Sequence, residues 1–380
     1  MRWPTIILCV AAAGCRHGFD EGVVGLAPEV TGVMISEDGA LVLEDGRYDI
    51  TPALDGHGYT AAWVEFPPGD RTLQLEIATV AEDGSITVAP RIVELVPEVS
   101  WVRLATGTDS YLIVYATPSE TILLDVDATG QLLARHTTIG MADSSPQALP
   151  DGFVLVYPDA DSVRTLRLDA RGTPGAVTIV EEAIGTAPNA VNSTRLASGE
   201  LIIAWSDTRS GSARNRIARV DAAGTVLGPS TLLYDTGQPQ GNPLLTTDGA
   251  DGILAAYDAA TTFPQYLMRL SATGTPLWPQ PAIVYDYPHY HHTVDVAGSP
   301  AGRLGMVWVT GPEQLLENVE IVVLDAAVPD DPVMPQPLLL SDPRYQFCYP
   351  ELARSANGFG AAFAGDVEGS LGLFIVTVPD

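Results

Sequence analysis

Short apolar runs separated by polar turns fill this chain, and the clearest copy of the pattern lies between Glu200 and Leu227. There the run Leu201-Ile202-Ile203-Ala204-Trp205 ends in an aromatic. A polar loop follows, then a second apolar run from Ile217 and the turn Asp221-Ala222-Ala223-Gly224. The runs are about five residues long, are rich in β-branched side chains and lack a 3.6-residue period, so they predict strands. They also fail to alternate cleanly between apolar and polar positions, as expected of strands covered on both faces.

The aromatic that ends the first run recurs as Trp63, Tyr115, Tyr157, Trp205, Tyr257, Trp308 and Phe363, a mean spacing of 50 residues. A turn built on a small residue precedes each one, at Gly58, Ser110, Gly152, Gly199, Gly252, Gly302 and Gly358. The turn after the second run recurs at Gly39, Gly84, Gly130, Gly172, Gly224 and Gly274, with a degenerate copy at 325–331. Asp-Gly and Thr-Gly pairs in these turns supply the positive φ that hairpins require. Four strands in each of seven periods predict an all-β chain folded as a seven-bladed β-propeller over residues 31–380. A solenoid would need shorter repeats with capping units, and a sandwich would not repeat.

The two series of turns are out of phase at the chain ends. The last copy holds three strands, near 349–353, 358–363 and 371–378, and no fourth. The apolar stretch Ala40-Leu41-Val42-Leu43 is the expected N-terminal strand that completes it, closing the ring and removing free edges.

Trp205-x-Asp207-x-Arg209 followed by Ile217-x-Arg219-x-Asp221-x-x-Gly224 resembles the repeats of exported bacterial β-propeller proteins, many of them lipoproteins. The resemblance covers the chain from about residue 32 onward and implies the propeller fold without implying an activity. Ser271-Ala272-Thr273-Gly274 resembles the Asp-box of sialidase propellers but lacks its Asp, so no function is implied by it.

Composition narrows the classes of partner. The chain has 380 residues, a formal charge of −28, and nineteen Lys+Arg residues that are all arginine. This charge disfavours non-specific binding to nucleic acid or to anionic lipid headgroups, because either requires a basic patch that displaces counterions. Schiff-base chemistry and a P-loop are excluded with lysine. No Gly-x-Ser-x-Gly elbow is present.

The N-terminus carries Arg2, an apolar core from Thr5 to Ala13, then Gly14-Cys15. That core is too short to span a bilayer as a helix and reads as an export signal. Cys15 after three small residues resembles the bacterial lipoprotein signal, although Ala12 stands where Leu is commonest. The resemblance implies a signal peptide over 1–14, lipidation of Cys15, a tether over 15–30, and anchoring in a membrane of the cell envelope, the outer membrane foremost, on its periplasmic or surface face. Cleavage as an ordinary secretory signal and retention as an uncleaved anchor are the alternatives. Lipidation would remove Cys9 and leave Cys348 without a disulfide partner.

Candidate sites fall where the repeat breaks. Tyr285-Asp286-Tyr287-Pro288-His289-Tyr290-His291-His292 holds three of the six histidines. In an extended segment His289 and His291 project to one side, where they can share a Zn²⁺-like ion with Asp286. This divalent metal is the one cofactor the residues suggest, and a solvated loop packing over the blade end is the simpler and favoured account of them. Tyr285, Tyr287 and Tyr290, with Tyr345, Phe347 and Tyr349 of the next junction, supply ring faces and nearby carboxylates that suit a glycan. Burial between blades is the competing account of these rings. The acids that follow the aromatic landmarks, among them Glu65, Asp159 and Asp207, are expected to cap their own loops. The functional expectation is therefore an anchored binding module for a protein or glycan partner. A carbohydrate-active enzyme or a structural envelope component is the alternative, and a central pocket with facing carboxylates and an arginine would favour the enzyme.

Overall fold

The computed structural model describes residues 31–36, 41–42, 46–185, 191–234, 239–247, 252–259, 262–285, 294–299, 302–310, 318–325, 338–340, 350–367 and 370–379. They form seven antiparallel sheets, and no helix occurs among the described residues. Each sheet is one blade, and the fold is a seven-bladed β-propeller. The innermost strands of blades 1 to 7 are Tyr48–Pro52, Trp101–Thr106, Ser145–Leu149, Val191–Arg195, Leu244–Thr247, Val294–Gly298 and Glu351–Arg354. Each packs beside the inner strands before and after it, and Glu351–Arg354 packs beside Tyr48–Pro52, so the ring is closed.

Apolar clusters lie between blades rather than at a single centre. One joins blades 1 and 2 through Val64, Leu75, Val102 and Ile113, and another joins blades 3 and 4 through Val154, Val156, Ile203 and Trp205. All seven aromatic landmarks belong to this packing: Trp63 and Trp205 are 0 % exposed, and the least buried, Trp308, is 3 % exposed. They are scaffold positions, as their recurrence implies. Truncating one leaves a cavity between two blades, so Trp205→Ala is expected to cost about 4 kcal/mol of stability. Urea unfolding measures this directly.

The Asp-x-x-Gly turns repeat one hydrogen-bond pattern. The Asp127 carboxylate accepts from the N–H groups of Thr129 and Gln131, Asp169 from Arg171 and Thr173, and Asp221 from Ala223 and Thr225. Gly130, Gly172 and Gly224 complete these turns at φ 80°, 75° and 91°, where glycine carries no steric penalty. Asp207 likewise serves its own loop: it accepts from the Arg209 backbone at 2.9 Å and lies 2.6 Å from the Arg209 guanidinium. Arginines on third strands pair within their blades, Arg167 with Asp151 at 2.7 Å and Arg219 with Glu200 at 2.6 Å.

The closing strand differs from the expected one. Thr31–Met34, not the stretch at 40–43, completes blade 7 by pairing antiparallel with Ser370–Pro379. Val33 and Ile35 are buried against blades 7 and 1, and Leu373 donates its N–H to Ser36 Oγ at 2.9 Å. Leu41–Val42 instead pairs with the end of Gly58–Phe66 in blade 1. Both stretches are short and apolar, and the register against the last strand decides between them.

Candidate functional site

Strand pairing puts one position of every inner strand in register, the residue after the partner of the aromatic landmark. It is occupied by Asp49, Arg103, Ser145, Asn192, Leu244, Asp295 and Glu351 in blades 1 to 7. The position lies near the start of each inner strand, where the connections between blades enter. It therefore forms a ring around the axis at one end of the central channel. Six of its seven residues are polar, and four are charged.

Part of this ring is structural. Asp49 accepts the N–H of Leu104 from the next blade at 2.6 Å, Asn192 that of Leu245 at 3.0 Å, and Asp295 that of Leu352 at 2.7 Å. These are equivalent bonds at three junctions, each reaching across to the inner edge of the following blade. Asp49 and Asp295 also accept from the next residue in their own strands, Ile50 and Val296. Hydroxyl contacts perform the same joining elsewhere, as between Ser145 and Ser193 at 2.8 Å and between Thr246 and the Gly298 N–H at 2.7 Å. That a neutral Asn192 makes the bond shows that joining blades needs an acceptor and not a charge.

The rest of the ring exceeds what joining requires. Arg103 lies 2.5 Å from Asp143, on the connection into blade 3, and 3.7 Å from Glu351 of blade 7. Five charged side chains, Asp49, Arg103, Asp143, Asp295 and Glu351, thus meet at the mouth of the channel. Protein encloses them, yet solvent still touches the side chains of Arg103, Glu351 and Asp143, which are 22 %, 21 % and 44 % exposed.

Burial sets their proton affinities, and like charge adds to it at Asp49 and Glu351. Burial, reinforced by the charge of Asp295, pushes the Asp49 carboxyl up to about 7, against the opposing pull of Arg103 and two backbone N–H groups. Burial likewise raises Asp295. Glu351 is raised well above the usual carboxylate range by burial and by the charges of Asp295, Asp49 and Asp143. Burial works against the charge of Arg103, but Asp143, Glu351 and Asp49 outweigh it and hold the guanidinium protonated. The mouth therefore offers a fixed donor in Arg103 and carboxyl groups able to donate or accept near neutral pH.

The residues singled out by sequence stand elsewhere or cannot be placed. Tyr285 ends Ala282–Tyr285, the outer strand of blade 5, so its backbone is at the rim and not at the axis. Asp286, Tyr287, His289, His291, Tyr290, Tyr345, Phe347, Tyr349 and Cys15 lie outside the described residues. Among the described residues no group of three or more His, Cys, Asp or Glu side chains is arranged to hold a metal ion. The axial ring escaped sequence reasoning although a signal existed: a polar residue stands twelve to fourteen positions before six of the seven aromatic landmarks.

No protein-family model matches the chain, and no curated protein matches it in sequence. Solved structures do resemble it. A protein of unknown function from Dyadobacter fermentans DSM 18053 is 12 % identical, with a TM-score of 0.53 over 92 % of this chain and 99 % of that one. The Dos1 propeller is 10 % identical, with a TM-score of 0.49 over 88 % and 93 % of the two chains. A protein of unknown function from Bacteroides caccae is 13 % identical, with a TM-score of 0.44 over 70 % and 89 %. At these identities the likeness concerns the fold alone, and what this chain is similar to is a β-propeller.

Proposed function

We propose that this protein is a binding module of the cell envelope, anchored through lipid on Cys15, whose axial mouth takes the hydroxyl groups of a glycan. The observation that carries the reading is the meeting of Arg103, Asp143 and Glu351, with Asp49 and Asp295, at the solvent-touched end of the channel. Raised carboxyl groups beside a fixed guanidinium form a mixed donor and acceptor surface close to neutral. Sugar hydroxyls, which donate and accept at once, match such a surface better than a bare cation does. Two sequence facts agree with it. Tyr349 stands two residues before Glu351, and Tyr290 five before Asp295, so aromatic residues suited to sugar faces adjoin the ring along the chain.

A thermal-shift screen of the full chain against glucose, galactose and N-acetylglucosamine tetramers tests this reading, since a ligand that binds only the native state raises its stability. At least one tetramer is expected to raise the melting temperature; a flat response to all three refutes the glycan. Adding Zn²⁺ in the same screen addresses the His289 and His291 reading, and an unchanged melting curve eliminates it. Anchoring is checked by Cys15→Ser, expected to move the protein from the detergent phase to the aqueous phase.

A second reading, an enzyme acting on carbohydrate, is favoured by the pairing of raised carboxyl groups with an arginine around one end of the channel. It requires that a tetramer be shortened on incubation and that Glu351→Gln stop the cleavage. Intact tetramers after prolonged incubation leave binding as the function.

A further inference from the structure

Blades diverge toward the rim, and between the outer parts of blades 1 and 2 they leave a cleft of about 380 Å³. It opens on the face where the blade connections emerge, between the end of Ile86–Val96 and the loop 117–120 of blade 2. Its walls carry Glu94, Glu98 and Glu120 against one cation, Arg135. Arg135 is already engaged, with Nε 2.9 Å from Glu94. Glu98 and Glu120 are exposed and have no ion pair among the described residues.

The remaining walls combine the apolar Pro97, Pro118 and buried Ile122 with the polar Thr117 and Ser119. Ile139, paired with Glu120 at the lip, is 69 % exposed. It shares a strand face with Arg135, which reaches into the cleft, so its side chain borders the same space. The one aromatic ring in the lining among the described residues, Tyr115, is 1 % exposed and donates its hydroxyl to Glu94 at 3.2 Å, so it offers no face on which a sugar could stack. The outer strands Ile86–Val96 and Leu132–Ile139 each end their sheet, and among the described residues no strand pairs with their outer backbone edges. Such an edge suits an extended chain.

We propose that this cleft docks an extended protein segment in which arginine or lysine alternates with aliphatic residues. The basic side chains would meet Glu98 and Glu120, and the aliphatic ones would cover Ile139 and the prolines. Charge complementarity selects this occupant, because among the described residues the cleft holds excess carboxylate and one cation already paired, while Pro97, Pro118 and Ile122 disfavour a purely hydrophilic partner. The site is separate from the axial mouth and stands or falls independently of it.

The test uses the full chain and a labelled hexapeptide of alternating arginine and leucine, followed by fluorescence anisotropy at 0.15 M salt. Because the whole protein is acidic, the control is a second charge-reversal pair, Asp161→Arg with Glu182→Arg, at exposed positions of blade 3. Glu98→Arg with Glu120→Arg is expected to weaken binding about tenfold, and Ile139→Ser to weaken it measurably. The blade 3 pair and Glu351→Gln should leave it within about twofold. The proposal is overturned if the blade 3 pair weakens binding as much, if a glutamine/leucine hexapeptide binds equally well, or if a neutral oligosaccharide displaces the arginine peptide. Unchanged melting temperatures of the surface variants ensure that lost binding is not lost folding.

Discussion

Lowering the pH from 8 to 5 is expected to stabilise this protein, the reverse of the usual acid response. The carboxyl groups of Asp49, Asp295 and Glu351 hold protons more tightly folded than unfolded. Their stabilising contribution is therefore fully present below the unfolded carboxylate range near 4. It is lost as the pH rises through the folded value, about 7 for Asp49. Mutual repulsion within a net charge of −28 adds to the same trend. Asp49→Asn separates the two effects. An asparagine retains an acceptor for the Leu104 N–H, as Asn192 does for Leu245, but has no charge to lose. Urea unfolding should find the variant's advantage over wild type larger at pH 8 than at pH 5 by on the order of 2 kcal/mol. Equal pH dependence in the two proteins would show that Asp49 ionises freely and that its burial does not hold the proton.

Removing residues 1–36 is expected to be far more damaging than the small strand it deletes suggests. Thr31–Met34 supplies the fourth strand of blade 7, so its loss exposes the long edge of Ser370–Pro379 and uncovers the cluster shared by blades 7 and 1. Unpaired backbone at such an edge is a template for association. The truncated chain should elute as soluble aggregate in size exclusion. Ile35→Asp, which places a charge in that cluster, should lower stability by about 4 kcal/mol without shortening the chain. A monomeric truncated chain with an unchanged melting temperature would mean that another segment closes the ring.

The architecture was legible because it is written seven times. Any one apolar run ending in an aromatic is ambiguous, but Trp63, Tyr115 and their five equivalents at a near-constant spacing leave little besides a propeller, and each proves to be buried between blades. The closing strand was placed one segment late. Val33 and Ile35 point into the junction of blades 7 and 1, whereas Leu41 and Val42 extend blade 1, and apolarity alone does not distinguish these fates. The axial ring was hidden for a different reason. Asp49, Arg103, Asp295 and Glu351 sit inside strands with apolar neighbours, and isolated charges in strands ordinarily mark solvent-facing edges. Only alignment of the inner strands shows that they share one level around one axis. The loops at 285–292 and 344–349 stand out in the sequence by their tyrosines and histidines, a feature of composition that carries no information about position relative to the axis.

The reading of the axial mouth as the binding site is tested most directly by isothermal titration of the full chain with the tetramer that raises its melting temperature most. Wild type is predicted to bind one equivalent. The double variant Asp143→Ala with Glu351→Ala, which strips two of the groups around Arg103, is predicted to bind at least about tenfold more weakly while still melting cooperatively. Undiminished affinity in that variant would contradict the account and place the ligand elsewhere on the propeller.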